Sequence, residues 1–236
     1  MNAFLLAAGL GTRLRPLTCE IPKCMVEICG KPLLGWWLEK LEALSIEKVL
    51  INTHHLAPQV ERFVAENNFN INIELFHEDE LLGSAGTIKA NRGFIDDKDF
   101  LIIYGDNLTN IDLKPMIDHH VEKSPVMTMG LMEMPRPETR GIAVLNDDNV
   151  ITDFVEKSAN PPGNLANAGL KVASPELFNY LDGDKKPLDL GFDILPRLIG
   201  KMHGFVLEGY LQDIGNPEDL ESARKNWKSL VSKTLT

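Results

Sequence analysis

The chain has 236 residues, 44% of them hydrophobic and 25% charged, which is enough to bury the core of one large α/β domain and too apolar for a disordered or fibrous protein. Lys and Arg number 24 against 34 Asp and Glu, a net charge of −10 that argues against nonspecific binding to nucleic acid or anionic lipid, so an anionic ligand needs a local positive pocket. No apolar run approaches a membrane span and the N-terminus reads as a strand without a basic leader, so a cytoplasmic protein is expected.

Phe4 to Ala8 reads as a short buried strand. It runs into Gly9-Leu10-Gly11-Thr12-Arg13-Leu14-Arg15-Pro16-Leu17-Thr18, followed by Pro22-Lys23. Gly9 and Gly11 allow tight turns and leave backbone N–H groups uncovered where a polyphosphate can approach, and Arg13, Arg15 and Lys23 add fixed positive charge. A dinucleotide fingerprint would need glycine where Leu14 stands, and the Gly-Lys-Ser/Thr of a P-loop is missing. Cys19, Cys24 and Cys29 lack a Cys-x-x-Cys pair or a nearby histidine, so reduced thiols are expected rather than zinc; Cys24, beside Lys23, is a candidate reactive thiol.

Leu33 to Leu44 carries helical apolar spacing, Val49 to Asn52 reads as a buried strand, Pro58 to Glu66 as a helix and Ile71 to Phe76 as an alternating strand. A helix from about Ala85 to Arg92 precedes the apolar strand Phe100 to Tyr104, which ends at Gly105-Asp106. Strands alternating with helices predict a largely parallel sheet whose ligand crevice lies at the carboxyl ends of its strands, where Gly9 and Asp106 both fall. After a helix over Asp112 to Glu122 the spacing shifts toward strands: Val126 to Leu131, Ile142 to Leu145, Ile151 to Val155 and Ala168 to Val172. Asn146-Asp147-Asp148-Asn149 suits a hairpin and Ala159 to Asn164 an exposed loop. Helices are expected at Pro175 to Leu181, Phe192 to Ile199 and Pro217 to Leu230. No internal repeat or linker is visible.

The N-terminal string, with Gly30-Lys31-Pro32 after it, resembles the signature of the sugar-1-phosphate nucleotidylyltransferases, the nucleotide-sugar pyrophosphorylases, whose pattern runs L-A-A-G-x-G-T-R-L-x-P-L-T, then P-K, then G-x-P. The resemblance covers nearly all of residues 1 to 228. It implies a three-layer α/β sandwich with a mostly parallel central sheet of Rossmann-like type and a small β-rich sugar-binding insertion. Residues 1–110 would form the nucleotide-binding half and 111–236 the sugar-binding half of a single catalytic domain, without the C-terminal hexapeptide β-helix of many members.

By the same resemblance the nucleotide would lie on Leu6, Ala7, Ala8, Gly9, Gly11, Thr12 and Arg13, on Gly83, Ser84 and Ala85 of the L-G-S-A-G segment, and on Gly105. Asp106 and Asp213 resemble the two metal aspartates of the family, which implies Mg2+, for which hard carboxylate oxygens are suited. Gly141, Glu156, Lys157 and Asn167 match the sugar-phosphate segments, and Arg13, Lys23 and Asp106 would be catalytic. Each has a plainer reading: an aspartate at a strand end is often a cap, a Glu-Lys pair a surface ion pair, and a glycine a turn.

The implied reaction transfers a nucleotidyl group from a nucleoside triphosphate to a sugar 1-phosphate, with magnesium. The pattern looks closer to guanylyltransferases for mannose or manno-heptose 1-phosphate than to thymidylyl or uridylyl enzymes, which favours GTP. Cytidylyl, uridylyl or thymidylyl transfer to another phosphomonoester, such as glucose 1-phosphate or phosphocholine, stays open, as does a noncatalytic nucleotide-sugar sensor. Cys24, Ser158 and Leu211-Gln212 stand where other residues are frequent in the family, which bears on substrate identity. No nucleophile–base–carboxylate arrangement is readable among the six histidines. Trp36 and Trp37 cannot share one helix face, so either one meets a partner or both pack at a junction; a homodimer is expected, on no particular motif.

Overall fold

The computed structural model describes residues 1–234. In chain order its strands are β1 (Asn2–Leu6), β2 (Glu27–Ile28), β3 (Lys31–Pro32), β4 (Lys48–Thr53), β5 (Asn72–His77), β6 (Phe100–Tyr104), β7 (Asn107–Thr109), β8 (Met127–Glu133), β9 (Gly141–Leu145), β10 (Ile151–Glu156), β11 (Leu165–Ala173), β12 (Met202–Val206) and β13 (Leu211–Asp213). The helices are α1 (Leu33–Ala43), α2 (Ala57–Glu66), α3 (Ser84–Ala90), α4 (Lys114–Lys123) and α5 (Pro217–Thr234). No helix among the described residues is long and apolar enough to cross a membrane.

The described residues form two compact units, one of residues 1–4, 80–103 and 111–208, the other of 5–79, 104–110 and 209–234. Each is assembled from three separate stretches, which is why no linker is visible in the sequence.

In the first unit the strand order is β10-β9-β11-β6-β1, with β8 also on β11 and β12 on β8. β11 is the hub. Its C-terminal half pairs antiparallel with β6, Leu170 opposite Ile103 and Ala173 opposite Phe100, while Ala166 faces Ile142 of β9. Along β8 its register slips between Asn167 and Lys171, where Gly169 takes a positive φ of 76°. Such a bulge re-aims the flanking side chains, and it sets both Asn167 and Lys171. β12 runs parallel to β8. The expected hairpin joins β9 to β10: Asn146 accepts the N–H groups of Asp148 and Val150 on its side-chain oxygen.

In the second unit the end of β1, β4 and β5 are neighbours. β4 and β5 are parallel, Val49 opposite Ile73 and Ile51 opposite Leu75, as a βαβ crossover demands. The Rossmann-like α/β class read from the sequence, largely parallel in its central sheet, is the class the structure has; antiparallel strands gather around β11. α1 buries Leu33, Leu34, Trp37, Leu38 and Leu41, the three-four spacing of an amphipathic helix. Both tryptophans are packed: Trp37 Nε1 donates to the Asn107 carbonyl at 2.7 Å, and Trp36 Nε1 donates to the Ile28 carbonyl with its ring edge-on to Trp227 at 5.4 Å. A single apolar cluster joins Leu14, Ile28, Leu33, Leu108 and Ile214 to Leu220, Ala223 and Trp227 of α5.

Two expected helices take other forms. Pro175–Tyr180 is a 3-10 helix. The stretch expected as Phe192 to Ile199 is a π-helical turn, Leu190–Ile194, followed by a 3-10 turn, Leu195–Leu198. Pro196 has no N–H to donate within an α-helix, and the wider turn places Leu190 and Ile194 in the core.

Candidate active site

The sequence-selected residues divide between the units. Leu6, Ala7, Ala8, Gly9, Gly11, Thr12, Arg13, Lys23, Gly105, Asp106 and Asp213 lie in the second, and Gly83, Ser84, Ala85, Gly141, Glu156, Lys157 and Asn167 in the first.

In the second unit the glycine loop leaves β1 and turns at Gly11, whose φ is +60°. A Cβ there would lie 2.8 Å from Thr18 Cγ2, so glycine serves both the left-handed turn and the close approach. Thr18 Oγ1 donates to the Gly11 carbonyl at 2.7 Å, and Leu14 N closes the turn onto the same oxygen at 2.9 Å. His55 Nε2 donates to the Thr18 carbonyl at 2.7 Å and His54 Nδ1 to the Glu78 carbonyl at 2.7 Å. A carbonyl only accepts, so each ring nitrogen carries the proton, and both histidines support backbone.

At the root of the loop, Asn52 Oδ1 accepts the Ala7 N–H at 2.6 Å while its amide donates to Glu78 Oε1 at 2.8 Å. Asn52 and Glu78 are both buried. Neither was marked by the sequence, although Asn52 stands at a strand end, the place where such a group belongs. Gly105 N donates to the Leu6 carbonyl at 2.9 Å, tying the start of the loop to the turn before Asp106.

Lys23 is the centre of this region. Its buried ammonium donates to Asp106 Oδ2 at 2.6 Å and lies 3.5 Å from Asp213 Oδ1. The antiparallel pairing of β7 with β13, Asn107 opposite Asp213, positions the second carboxylate, and the Ile214 N–H donates to the Asp106 carbonyl at 2.9 Å. Gly215 lets Arg13 approach the same turn: a Cβ at Gly215 would be 3.4 Å from Arg13 Nη1. Two carboxylates thus face one monovalent cation and leave negative charge for another. Among the described residues no group of three or more His, Cys, Asp and Glu surrounds a common point. The two hard carboxylate oxygens of Asp106 and Asp213, both close to Lys23, are of the kind that suits an ion such as magnesium, which takes few protein ligands and completes its shell with water and phosphate.

The surroundings of Cys24 disfavour a reactive thiolate. The residue is buried, and desolvation pushes its thiol up to about 12, so the nucleophilic thiolate is scarce at neutral pH. The neighbouring Lys23 ammonium is engaged by the aspartates.

In the first unit Glu156 is the focus. A Cβ on Gly141 would sit 2.4 Å from Glu156 Oε2, and one on Gly191 would sit 2.9 Å from it; two glycines make the room this carboxylate occupies. Burial raises its pKa. Lys157 Nζ is 4.0 Å from Glu156 Oε1 and largely exposed, on a backbone whose φ is +49°, uncommon for a non-glycine residue. Asn167 Oδ1 accepts from both Gly169 N and Lys171 Nζ at 3.0 Å, so its amide NH2 is the end left to donate elsewhere.

Lys171 is fully buried and was not anticipated by the sequence reading. Burial lowers its pKa to about 8, opposed by the Glu156 and Asp189 charges. In an unfolded chain it titrates near 10.5, so between about pH 8 and pH 10.5 the unfolded state binds more protons and folding strengthens with rising pH. Lys171→Met removes this contribution: the stability curves of wild type and variant, followed by urea denaturation, are expected to diverge in favour of wild type from pH 7.5 to pH 10, whereas parallel curves would contradict the lowered pKa.

The L-G-S-A-G segment is built tightly against Leu188. Ala85 N and Gly86 N donate to the Leu188 carbonyl at 3.0 and 3.1 Å, and Gly83 has a φ of +83° with its Cα against that backbone. Ser84 Oγ accepts the Leu190 N–H at 2.8 Å and donates to Asp189 Oδ2 at 3.1 Å. Gly83 and Ser84 thus have structural work of their own, apart from any contact with a nucleotide. His203, isolated in the sequence, has its ring 5.5 Å from that of His119, which itself lies 5.4 Å from Phe205; burial lowers the pKa of both histidines.

Residues 2–229 match the family model described as nucleotidyl transferase. A mannose-1-phosphate guanyltransferase of Hypocrea jecorina is 30% identical over 99% of this chain, which spans about two thirds (66%) of that protein's length. A D-glycero-alpha-D-manno-heptose 1-phosphate guanylyltransferase of Aneurinibacillus thermoaerophilus is 32% identical over 98% of this chain and 100% of its own. The crystal structure of HddC from Yersinia pseudotuberculosis superposes with a TM-score of 0.81 at 28% identity, covering 96% of this chain and 99% of that one, and the same protein complexed with GMP-PN gives 0.80. With the glycine loop, its cations and the paired aspartates all in the order of the signature, the chain belongs to the nucleotidyl transferase family.

Proposed function

We infer that the protein transfers a nucleotidyl group, from GTP by preference, to a sugar 1-phosphate, giving a nucleotide sugar and pyrophosphate. The observation that carries this reading is the Lys23 ammonium held between Asp106 and Asp213 at the foot of the glycine loop. An oxygen of the sugar phosphate attacks the α-phosphorus; the new P–O bond forms as the bond to the β-phosphate bridging oxygen breaks, and pyrophosphate leaves with that electron pair. A phosphomonoester near neutral pH carries about −1.5 to −2 charges, so the nucleophile needs little deprotonation. The difficulty is bringing anion to anion, and catalysis rests on alignment and charge.

Arg13 and Lys23 are suited to the charge that develops on the departing pyrophosphate, and Lys157 to orienting the incoming phosphate. Magnesium held by Asp106 and Asp213 would supply neutralisation and polarisation of phosphate oxygens. The Glu156 carboxylate can accept hydrogen bonds from sugar hydroxyls, and the Asn167 amide, its oxygen already engaged, can donate one. Guanine nucleotide and a manno-configured sugar are favoured because the named relatives are guanylyltransferases for such sugars and HddC was crystallised with GMP-PN. A cytoplasmic setting, where nucleoside triphosphates are abundant, suits this reading.

The test is a grid of five nucleoside triphosphates against mannose, manno-heptose and glucose 1-phosphates and phosphocholine, with magnesium, read as pyrophosphate release and product formation. Guanylyl transfer to a manno sugar is expected to give the strongest signal. Phosphocholine as best acceptor would replace the sugar reading, and binding without turnover across the grid would turn the protein into a sensor.

A further inference from the structure

Phe192 is a large apolar side chain left 56% exposed, yet its backbone is held by a side-chain cap. It lies inside the π-helical turn Leu190–Ile194, whose N-cap residue Asp189 accepts the Phe192 N–H on its side chain at 2.9 Å. Asp189 is held in turn by Ser84 Oγ and by its own N–H, which donates to Asp193 Oδ2 at 2.8 Å. π-helical turns are rare and are frequently found at functional sites.

The surroundings point one way. Gly191, next in the chain, packs beneath the Glu156 carboxylate. The Lys157 ammonium lies 5.5 Å from the centre of the Phe192 ring, near the outer limit of a cation–π contact. A carboxylate, an ammonium and an exposed rigid ring therefore share one small area. Small-ligand sites combine an apolar surface with a few convergent polar groups in this way. A pyranose 1-phosphate matches the set: C–H groups on its ring face for Phe192, hydroxyl edges for Glu156, and a phosphate for Lys157.

We propose that Phe192 is the stacking platform for the sugar ring, so that the acceptor is a pyranose 1-phosphate with an uncluttered C–H face. This rests on the reading of the Glu156 and Lys157 region as a sugar-phosphate site. The phosphate draws the Lys157 ammonium to itself, and the ring face it leaves is taken by the sugar.

The experiment compares wild type with Phe192→Ala and Phe192→Trp. With GTP and the sugar 1-phosphates of the grid, Phe192→Ala is expected to raise KM for the sugar about five- to tenfold, the weight of one aromatic contact. KM for GTP and kcat stay within about twofold on the same grounds, and Phe192→Trp restores the sugar KM. Independently of turnover, the added indole of Phe192→Trp changes its fluorescence on addition of mannose 1-phosphate and not of inorganic phosphate, with wild type as the background. Turnover with unaltered sugar KM in Phe192→Ala overturns the platform and leaves nucleotidyl transfer standing. No turnover, together with the sugar-specific fluorescence change, keeps the platform and removes the transfer reaction. Silence in both overturns the platform as well.

Discussion

Asp106→Ala lowers the turnover number by about 10² to 10³, on the scale of removing one preorganised charge from an active site, while the protein stays folded. The Lys23 ammonium then loses its 2.6 Å partner and keeps Asp213 Oδ1 at 3.5 Å, and half of the oxygen pair suited to a divalent cation is gone. The fold survives because the Asp106 side chain is 36% exposed and its carbonyl, which receives the Ile214 N–H, is untouched. Pyrophosphate release at saturating substrates and magnesium measures the first part, and thermal unfolding measures the second. Turnover near wild type would remove the aspartate pair from the mechanism. An unfolded variant would mean that the charges hold the loop together, and Asp106→Asn, with the same shape, would then separate the two roles.

Gly83→Ala is expected to have the largest effect on stability, a loss of about 3 kcal/mol or more, which for a chain of this size lowers Tm by about 6 to 12 °C. The backbone there has φ 83° and ψ 160°, a region open essentially to glycine. A Cβ would lie 2.4 Å from the Leu188 carbonyl oxygen and 2.8 Å from its nitrogen. Leu188 cannot retreat cheaply, because its N–H donates to the Leu82 carbonyl and its own carbonyl receives two further N–H groups. Gly93→Ala is the control: nothing lies within 4 Å of its added Cβ, and Tm is expected to change little. Equal melting temperatures for the two variants would contradict the packing described for the Gly83 turn.

Much of the second unit's site was legible because its parts are contiguous. The glycine loop announces itself in one stretch of sequence, and Asp106 and Asp213 each sit in a short motif. The residues that brace it were hidden for a physical reason: Asn52 and Glu78 are single polar residues separated by a parallel pairing that no local pattern prints. Lys171 was hidden twice over, since lysine alone suggests surface and the register slip beside it shows only once β11 is paired with β8. The Phe192 stretch misled because its apolar spacing at Leu190, Ile194 and Leu198 looks α-helical. There Pro196 and the capping by Asp189 select wider and tighter turns instead.

The apolar cluster that seats Leu14 of the glycine loop draws Leu220, Ala223 and Trp227 from the final helix. Leu14 and Leu220 stand about two hundred positions apart in the chain, so the contact that seats the loop has a very large sequence separation. The motif is complete within one short stretch, whereas the packing that seats it is a non-local closure of the kind that forms slowly relative to local structure.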